Sequence, residues 1–305
     1  MTPLFLLKVK LGKLLANVLS GFVRDREKRH RLRERLDPLN PERCVAYLER
    51  HYADVEPLPL FNKSKKENYI WVCWLQGEAS APSLVARCIA SIRKFKQESQ
   101  EVVVITEENY TDYLDLPKAI IEKRKRGIIT NAHFSDILRI HLLACYGGCW
   151  LDATCLLTSP VPAEILSLDL FIYHTHGEFA FTQIQSCFLV AKPDNYVMRK
   201  WCAAIDAYWE SESMLIHYFL LHLMFQALLH KDGNFCDAFE VIPYKTDEAA
   251  HALLYAMLRG ERYSDELMEK AAKTSFWHKL TYKFDAELLN NPDSLVSKLS
   301  EREMS

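Results

Sequence analysis

Two charged residues in an otherwise apolar segment mark the part of the sequence best suited to chemistry. Residues 131–146 have the apolar content of a helix buried on most sides, yet Asp136 and Arg139 lie three positions apart within it and so face the same way. Burying such charges costs on the order of several kcal/mol per ion unless each is well partnered. The pair is either an ion pair closed on itself or a polar notch for a ligand. In the second case the guanidinium binds an anion and the carboxylate binds hydroxyl or imide groups.

A second acidic residue follows directly after this helix. Two glycines end the helix at 147 and 148, three apolar residues then predict a short strand at 149–151, and Asp152 and Thr154 come next. Ligands of open α/β sheets bind beyond the carboxyl ends of the strands. Residues two positions apart on an extended chain reach the same side, so Asp152 and Thr154 can bind one hard cation or one polar group together. The alternative is an aspartate that only caps the following turn.

Strands and helices must alternate along the chain for these residues to meet. Continuous apolar and aromatic runs predict buried strands at 69–75, 102–105, 149–151, 170–174 and 187–191. Helical spacing of apolar residues predicts helices at 84–95, 118–125, 132–146, 196–209 and 214–230. This order predicts an α/β fold with a mostly parallel central sheet between layers of helices, and further helical elements near the C-terminus. A polar segment at 62–68 separates a helical N-terminal extension, residues 1–60, from the main domain, residues 65–305.

Composition excludes several classes of protein. The formal net charge is −2, from 38 basic and 40 acidic residues, so the chain is not a polycation and we expect no nucleic-acid partner. No two glycines have the G-x-G spacing and none begins G-x-x-x-x-G-K, which excludes the Rossmann fingerprint and the P-loop. Nine cysteines without a C-x-x-C pair predict reduced core residues of a cytoplasmic protein, not a disulfide framework or a zinc site.

The N-terminal 23 residues are apolar but do not predict a membrane-spanning helix. Lys8, Lys10 and Lys13 interrupt the run, which stays short of the ~20 uncharged residues that a span needs. On a helical wheel seven apolar residues share one face: Leu4, Leu7, Leu11, Leu14, Leu15, Val18 and Phe22. With the basic stretch at 24–35, this face predicts a helix on an anionic membrane surface, and hence a cytoplasmic protein held peripherally at the inner face of the cell membrane. The alternative is a helix packed on its own domain.

Several segments in combination resemble a known protein family. The run AHFSDILR at 132–139 with YGGCWLDAT at 146–154 closely resembles the signature of the capsular polysaccharide synthesis proteins, which are bacterial relatives of the sugar-transferring enzymes with a DXD motif. The segments at 74–95, 185–193 and 274–283 extend the resemblance to roughly residues 66–284: WLQGEASAPSLVARCIASIRKF, QSCFLVAKP and TSFWHKLTYK. The resemblance implies a GT-A fold, an α/β/α sandwich that binds a nucleotide.

The resemblance also implies a function. It implies a glycosyltransferase that moves a sugar from a nucleotide-sugar donor, a UDP-sugar, to a growing bacterial surface glycan or its lipid-linked precursor, with retention of the anomeric configuration. By position, Asp136 and Arg139 contact the sugar and diphosphate of the donor, and Trp74 or Gln76 contacts its nucleobase and ribose. Asp152 stands where the DXD motif presents its first carboxylate to a metal. Asp136, Arg139 and Asp152 are therefore the predicted catalytic residues.

The predicted metal site departs from the parent motif. Thr154 replaces the second aspartate, so one ligand charge is missing, and His278 is the further ligand that the resemblance suggests beside Asp152 for Mn²⁺ or Mg²⁺. The alternative for His278 is a hydrogen-bonded surface histidine without a metal. Lys283 is predicted to contact the diphosphate, and Gln185 the sugar or the acceptor.

Two other functions stay open. Thr154 favours a catalytically silent member of the family that binds a nucleotide-sugar or a glycan and acts as a scaffold of capsule assembly. Asp136, Arg139 and Asp152 argue against the scaffold, because a protein without a ligand has no use for costly buried charges. Transfer of a sugar phosphate is the third function, but it normally needs a nucleophile or base that the sequence does not offer.

Overall fold

The structure of the protein is a computed structural model that describes residues 3–22, 28, 29, 32, 36–61 and 68–301. It divides into two units, each built from several separate stretches of the sequence. The first unit contains residues 1–58, 116–134 and 200–237, and the second contains residues 59–115, 135–199 and 238–305. Every predicted site residue lies in the second unit. The division into residues 1–60 and 65–305 stays a prediction.

The strands of the second unit form two sheets. They are β1 (Tyr69–Cys73), β2 (Glu101–Ile105), β3 (Gly148–Leu151), β4 (Cys155–Leu157), β5 (Leu170–His174), β6 (Ile184–Ala191) and β7 (Trp277–Lys279). The larger sheet has the order β2-β1-β3-β6-β5, and the smaller sheet pairs β4 with β7. Strand β1 pairs in parallel with β2 and β3, whereas β6 runs antiparallel to β3 and β5. Four of the five strands therefore point the same way, which confirms the predicted mostly parallel central sheet.

Continuous apolar sequence forms the centre of this sheet. Residues 70–72 of β1 and residues 149–151 of β3 are fully buried, as expected for parallel strands that are covered on both faces. All nine cysteines are free and eight are buried, in agreement with their prediction as reduced core residues. Burial raises the pKa of the thiols of Cys73 and Cys88 to about 12, so these groups stay protonated at neutral pH.

The helices agree closely with the periodicity of the sequence. Their bounds are α1 Pro3–Gly21, α2 Pro41–Tyr52, α3 Ser83–Phe95, α4 Tyr110–Tyr113, α5 Lys118–Lys125, α6 Asn131–Tyr146, α7 Ala163–Leu166, α8 Tyr196–Ser211, α9 Leu220–Lys231, α10 Gly233–Glu240, α11 Ala252–Leu258, α12 Asp265–Thr274 and α13 Leu295–Ser300. Short 3₁₀ turns lie at Glu78–Ser80, Gly177–Thr182, Ala249–His251 and Ala286–Asn290. Four predicted helices, those at 84–95, 118–125, 132–146 and 196–209, match α3, α5, α6 and α8 to within two residues.

The helix predicted at 214–230 begins only at Leu220. The hydroxyl of Tyr208 donates to the carbonyl oxygen of Met214 at 2.7 Å and accepts from the backbone N–H of Ile216 at 2.8 Å. The first bond occupies a carbonyl oxygen that a helix through this segment would need for its own ladder. A tertiary contact thus removes the first turn and a half that the apolar spacing predicts.

Two consecutive glycines connect α6 to β3. Gly147 and Gly148 have φ values of +65° and +96°, a conformation that side chains disfavour. A Cβ atom on Gly148 would lie 2.3 Å from the carbonyl oxygen of Tyr69, and one on Gly147 would lie 2.6 Å from Pro193. Glycine is therefore required at both positions, and the tight connection fixes where β3 begins, four residues before Asp152.

The predicted apolar face of α1 is exposed. Its described members are between 50% and 82% exposed: Leu11, Leu14, Leu15, Val18 and Phe22. The side chains of Leu4 and Leu7 lie outside the described residues, as do the basic residues of 24–35 other than Lys28 and Arg29, which are exposed. Within the described ranges, no helix combines the length and the apolar character that crossing a membrane requires.

Candidate functional site

A buried guanidinium joins the residues that the sequence analysis selected on α6 and after β3. Arg139 is 4% exposed. Its Nη2 donates to Oδ1 of Asp152 at 2.9 Å, and its Nη1 lies 3.3 Å from Oδ1 of Asp136 and donates to the hydroxyl of Ser186. Its Cζ also lies 4.9 Å from the ring centroid of Trp150, a cation–π contact. Arg139 thus forms the intrahelical pair with Asp136 and also binds the aspartate at the strand end, so the three predicted catalytic residues meet.

A second cation approaches Asp152 from the other side. Strand β7 pairs antiparallel with β4 in a register that sets Lys279 opposite Cys155, three residues after Asp152. The Lys279 ammonium donates to Oδ2 of Asp152 at 2.9 Å and to the hydroxyl of Thr154 at 2.6 Å. Asp152 Oδ1 also accepts from the indole N–H of Trp150 at 3.0 Å. Both carboxylate oxygens of Asp152 therefore have a cationic partner.

The charges of this cluster balance. Burial disfavours the ionised form of Asp152, but the nearby Lys279 and Arg139 outweigh burial and hold the pKa of this carboxyl well below its ordinary value. Burial likewise disfavours the charged form of Lys279, but the Asp152 carboxylate outweighs it and raises the lysine pKa above its ordinary value. With Asp136, the four groups carry two negative and two positive charges. The Nε of Arg139 is buried and has no hydrogen-bond partner among the described residues.

The predicted metal position coincides with the Lys279 ammonium. A divalent cation held by Asp152 and Thr154 would have to lie where Nζ of Lys279 already contacts both side chains. The carboxylate also retains no oxygen that is without a cationic partner. In this arrangement the residues present do not fit Mn²⁺ or Mg²⁺ between Asp152 and Thr154.

The structure does not bring His278 to this cluster. Neighbouring residues of a strand point to opposite faces, so His278 and Lys279 on β7 face away from each other. His278 is fully buried, and its Nε2 lies 3.2 Å from the carbonyl oxygen of Ala271. Burial lowers the pKa of His278 to about 4, so the imidazole is neutral. The histidine therefore lies in the interior and not, as the alternative interpretation held, at the surface.

The predicted nucleotide-binding residues lie on separate segments. The ring of Trp74 makes an edge contact with the ring of Tyr282, with centroids 5.4 Å apart, and its indole N–H is buried and lacks a hydrogen-bond partner in the described part of the chain. Gln76 is exposed, and its carbonyl oxygen accepts from the hydroxyl of Ser80 at 2.9 Å. Lys283 is exposed, with its ammonium 5.8 Å from the ring centroid of Tyr282. Of these residues, Trp74 therefore offers a buried indole N–H that is available for a hydrogen bond to a ligand.

Gln185 leads to a second polar cluster that the sequence analysis missed. Its side-chain N–H donates to Oδ2 of Asp247 at 2.9 Å, and its side-chain oxygen accepts from the backbone N–H of Cys187 at 3.1 Å. Asp247 Oδ1 in turn accepts from Nδ1 of His176 at 2.5 Å. His176, Asp247 and His251 offer ligand atoms that all lie within 4.8 Å of one another. Gln185 thus contacts the carboxylate of a cluster that also contains two histidines.

A cavity of about 400 Å³ opens next to the 247–251 segment. Its lining includes Tyr173, Lys245, Thr246, Ala249 and Trp277. Asp136, Arg139 and Asp152 are not part of this lining. The cavity is therefore a feature of the second polar region and not of the Arg139 cluster.

Sequence signals existed for some of the missed residues. Lys279 lies between the predicted site residues His278 and Lys283, and the alternation of side chains along β7 is what separates it from His278. Asp247 and His251 have the i, i+4 spacing that puts two side chains on one face of a helical turn. Ser186 gave no signal, because its contact with Arg139 joins residues 47 positions apart.

Comparison with known proteins gives the following similarities. The family described as capsular polysaccharide synthesis protein matches residues 47–299. The O-glycosyltransferase PaGT of Phomopsis amygdali is 24% identical over 196 residues, which cover 58% of this chain and 45% of that protein. The chain thus spans less than half the length of this curated relative. Among solved structures, the PaToxG glycosyltransferase is 13% identical, with a TM-score of 0.40 and coverage of 97% of this chain and 98% of that chain.

Proposed function

Because this chain belongs to the capsular polysaccharide synthesis protein family, we propose that it is a glycosyltransferase. The donor in this proposal is a nucleotide-sugar, a UDP-sugar, and the acceptor is a growing bacterial surface glycan or its lipid-linked precursor. The observation that supports the proposal best is the pair of cations, Arg139 and Lys279, held on the two oxygens of one carboxylate at the end of a central strand. This is the edge at which α/β sheets bind nucleotides.

The chemistry of the donor explains why two cations would be kept there. A nucleoside diphosphate leaving group carries at least two negative charges, and cleavage of the bond to the sugar develops more. The Arg139 and Lys279 side chains can neutralise this charge, and Asp152 keeps both cations oriented while the site is empty of anion. The unpartnered Nε of Arg139 supplies a further donor. In this proposal Lys279 performs the neutralisation that the sequence analysis assigned to Mn²⁺ or Mg²⁺.

The other contacts with the nucleotide-sugar follow if its diphosphate lies at Arg139 and Lys279. Trp74, with its buried and unpartnered indole N–H, would bind the nucleobase or ribose beside Gln76, and Asp136 would accept from sugar hydroxyls. The sugar would pass through an oxocarbenium-like state. We propose retention of the anomeric configuration, since no described carboxylate near Arg139 is free of cationic partners to act as an inverting base.

The exposed face of α1 supports a location at a membrane. Leu11, Leu14, Leu15 and Phe22 would insert among anionic lipids, with Lys28 and Arg29 near the headgroups. A protein held peripherally at the inner face of the cell membrane would meet a lipid-linked acceptor there. The lipid surface and the acceptor are both parts of the proposal.

A second candidate function is a catalytically silent scaffold that binds a nucleotide-sugar or glycan. Internal neutralisation of Asp152 favours it, because a carboxylate paired with two cations is not available to a metal. The two functions differ in turnover and not in binding. Both predict that UDP binds at Arg139.

Donor hydrolysis tests the proposal. Purified protein would be incubated with a panel of nucleotide-sugars, without added metal and with Mn²⁺ or Mg²⁺, and released nucleotide would be measured by chromatography. We expect slow release from at least one donor, and a fall of about 100-fold in Arg139→Lys, because a lysine keeps the charge but loses the fork that reaches Asp152 and Ser186. Arg93→Lys is the matched control, since Arg93 forms a partly exposed pair with Glu78 in the same unit. Saturable UDP binding without release on any donor or extracted lipid acceptor would support the scaffold instead.

A further inference from the structure

Two histidines and one aspartate meet outside the Arg139 cluster. His176 follows β5, while Asp247 and His251 lie one helical turn apart at the Ala249–His251 turn. Their segments are tied together by the backbone, because the N–H of His174 donates to the carbonyl of Lys245 at 2.8 Å and the N–H of Asp247 donates to the carbonyl of His174 at 3.1 Å. The three side chains are therefore brought together by a short β-bridge and not by chance contact.

The distances around Asp247 are those of a compact ligand set. Oδ1 of Asp247 lies 2.5 Å from Nδ1 of His176, and Oδ2 lies 3.6 Å from Nδ1 of His251. Tetrahedral Zn²⁺ with bonds of about 2.0–2.1 Å needs ligand atoms roughly 3.3 Å apart. The two pairs that involve Asp247 thus lie within roughly 1 Å of that spacing, and all three ligand atoms lie within 4.8 Å of one another, so rotation of the imidazoles can bring them to it. Asp247 is 2% exposed and His251 is 8% exposed, so these two ligands are sheltered from water, whereas His176 is partly exposed.

We infer that His176, Asp247 and His251 form a binding site for a transition-metal cation of the Zn²⁺ class. Two imidazole nitrogens and one carboxylate oxygen are ligands that Zn²⁺ prefers, whereas Mg²⁺ takes oxygen ligands. Gln185 completes the arrangement, because its N–H on Oδ2 of Asp247 is the kind of outer partner that orients a ligating carboxylate. This site goes beyond the proposed function and does not depend on it.

The bound cation would link two segments of the chain and would keep one coordination position open. It would clamp the segment after β5 to the 247–251 segment, which borders the cavity through Thr246 and Ala249. Three protein ligands leave a fourth position of Zn²⁺ for water or a ligand oxygen. Through Gln185 the cation would also fix the side chain that we predict to contact the sugar or the acceptor.

The test is Zn²⁺ binding to the full chain after removal of metal by a chelator. Competition against a chromophoric zinc indicator would give stoichiometry and affinity, and thermal unfolding would give the shift on binding. We expect saturable binding of one Zn²⁺ per chain, a higher unfolding temperature, and no competition from excess Mg²⁺. Asp247→Asn and His176→Ala should weaken binding by more than the about 10- to 100-fold that loss of an outer partner costs, and Gln185→Ala by about that amount.

Two controls keep the outcome specific to this site. His230→Ala removes a histidine that pairs with Glu49, away from this site, and it should leave the affinity unchanged. Co²⁺ in the unmodified chain separates imidazole and carboxylate ligands from the nine cysteines, since thiolate ligation adds an intense near-ultraviolet band. Absence of saturable binding, equal affinity in Asp247→Asn and the unmodified chain, or a thiolate band would each overturn the inference. The first result would leave Asp247 and His176 as a hydrogen-bonded pair.

Discussion

Replacement of Lys279 by alanine tests how the Arg139 cluster is held together. Asp152 would keep Arg139 but lose the partner of its second oxygen, and the four-group balance of charge would become one negative charge in excess. Removing one partner of a buried ion pair costs about 3–5 kcal/mol. Because the Lys279 and Asp152 side chains are each 24% exposed, we expect the low end, about 3 kcal/mol less free energy of unfolding.

The same variant should lose turnover by a separate mechanism. If Lys279 stabilises the charge that develops on the diphosphate, its removal should lower the rate of donor hydrolysis about 10²- to 10³-fold, the usual effect of one lost electrostatic donor. Urea unfolding would measure stability and nucleotide release would measure turnover. Adding Asp152→Asn to Lys279→Ala removes the excess negative charge, so stability should recover in large part while turnover should not.

Two results would refute this reasoning. A Lys279→Ala protein with an unchanged unfolding midpoint would mean that Asp152 does not need its second cation. A turnover that falls no more than in the control Lys298→Ala, whose exposed ammonium pairs with Glu301, would mean that Lys279 has no part in catalysis.

Three further predictions concern other parts of the molecule. Burial lowers the pKa of His278 to about 4 from its ordinary value of 6.5, so as the pH falls the unfolded chain binds this proton first. Stability from His278 should therefore be complete above pH 6.5 and fall by up to about 3 kcal/mol as the pH drops to 4, and thermal unfolding of His278→Gln should lack this component. Glutamate at both Leu14 and Leu15 should release the protein from anionic vesicles in a sedimentation assay, whereas Asn17→Glu, at an exposed position outside the apolar set, should not. Equal release by both changes would contradict a lipid-facing apolar stripe. Trp74→Phe keeps an aromatic ring but removes the indole N–H, so calorimetry should show UDP affinity reduced roughly 5- to 10-fold, about the contribution of one hydrogen bond. An unchanged affinity would exclude Trp74 as a nucleotide contact.

Local sequence was sufficient for the elements that position the site. The continuous apolar runs of β1 and β3 predict strands that are buried on both faces, and the structure has them so. The helical spacing of α6 is likewise a local pattern, visible without knowledge of any distant residue. The helix predicted at 214–230 was wrong at its start, because the Tyr208 hydroxyl holds the backbone of Met214 and Ile216. Periodicity reports which residues are apolar, but it does not report which side chains compete for backbone groups.

Spacing along the chain determined that Asp136 and Arg139 share a face and that Asp152 ends a central strand. Both are short-range consequences of helix and strand geometry. The two glycines between α6 and β3, which adopt positive φ, mark where the helix ends and the strand begins. Only the tertiary structure decided which cation meets Asp152. Three basic residues, His278, Lys279 and Lys283, lie within six positions near the C-terminus. The register of β7 against β4 directs Lys279 to Asp152 and turns His278 into the interior. Contacts across more than one hundred residues depend on strand pairing, which no local pattern encodes.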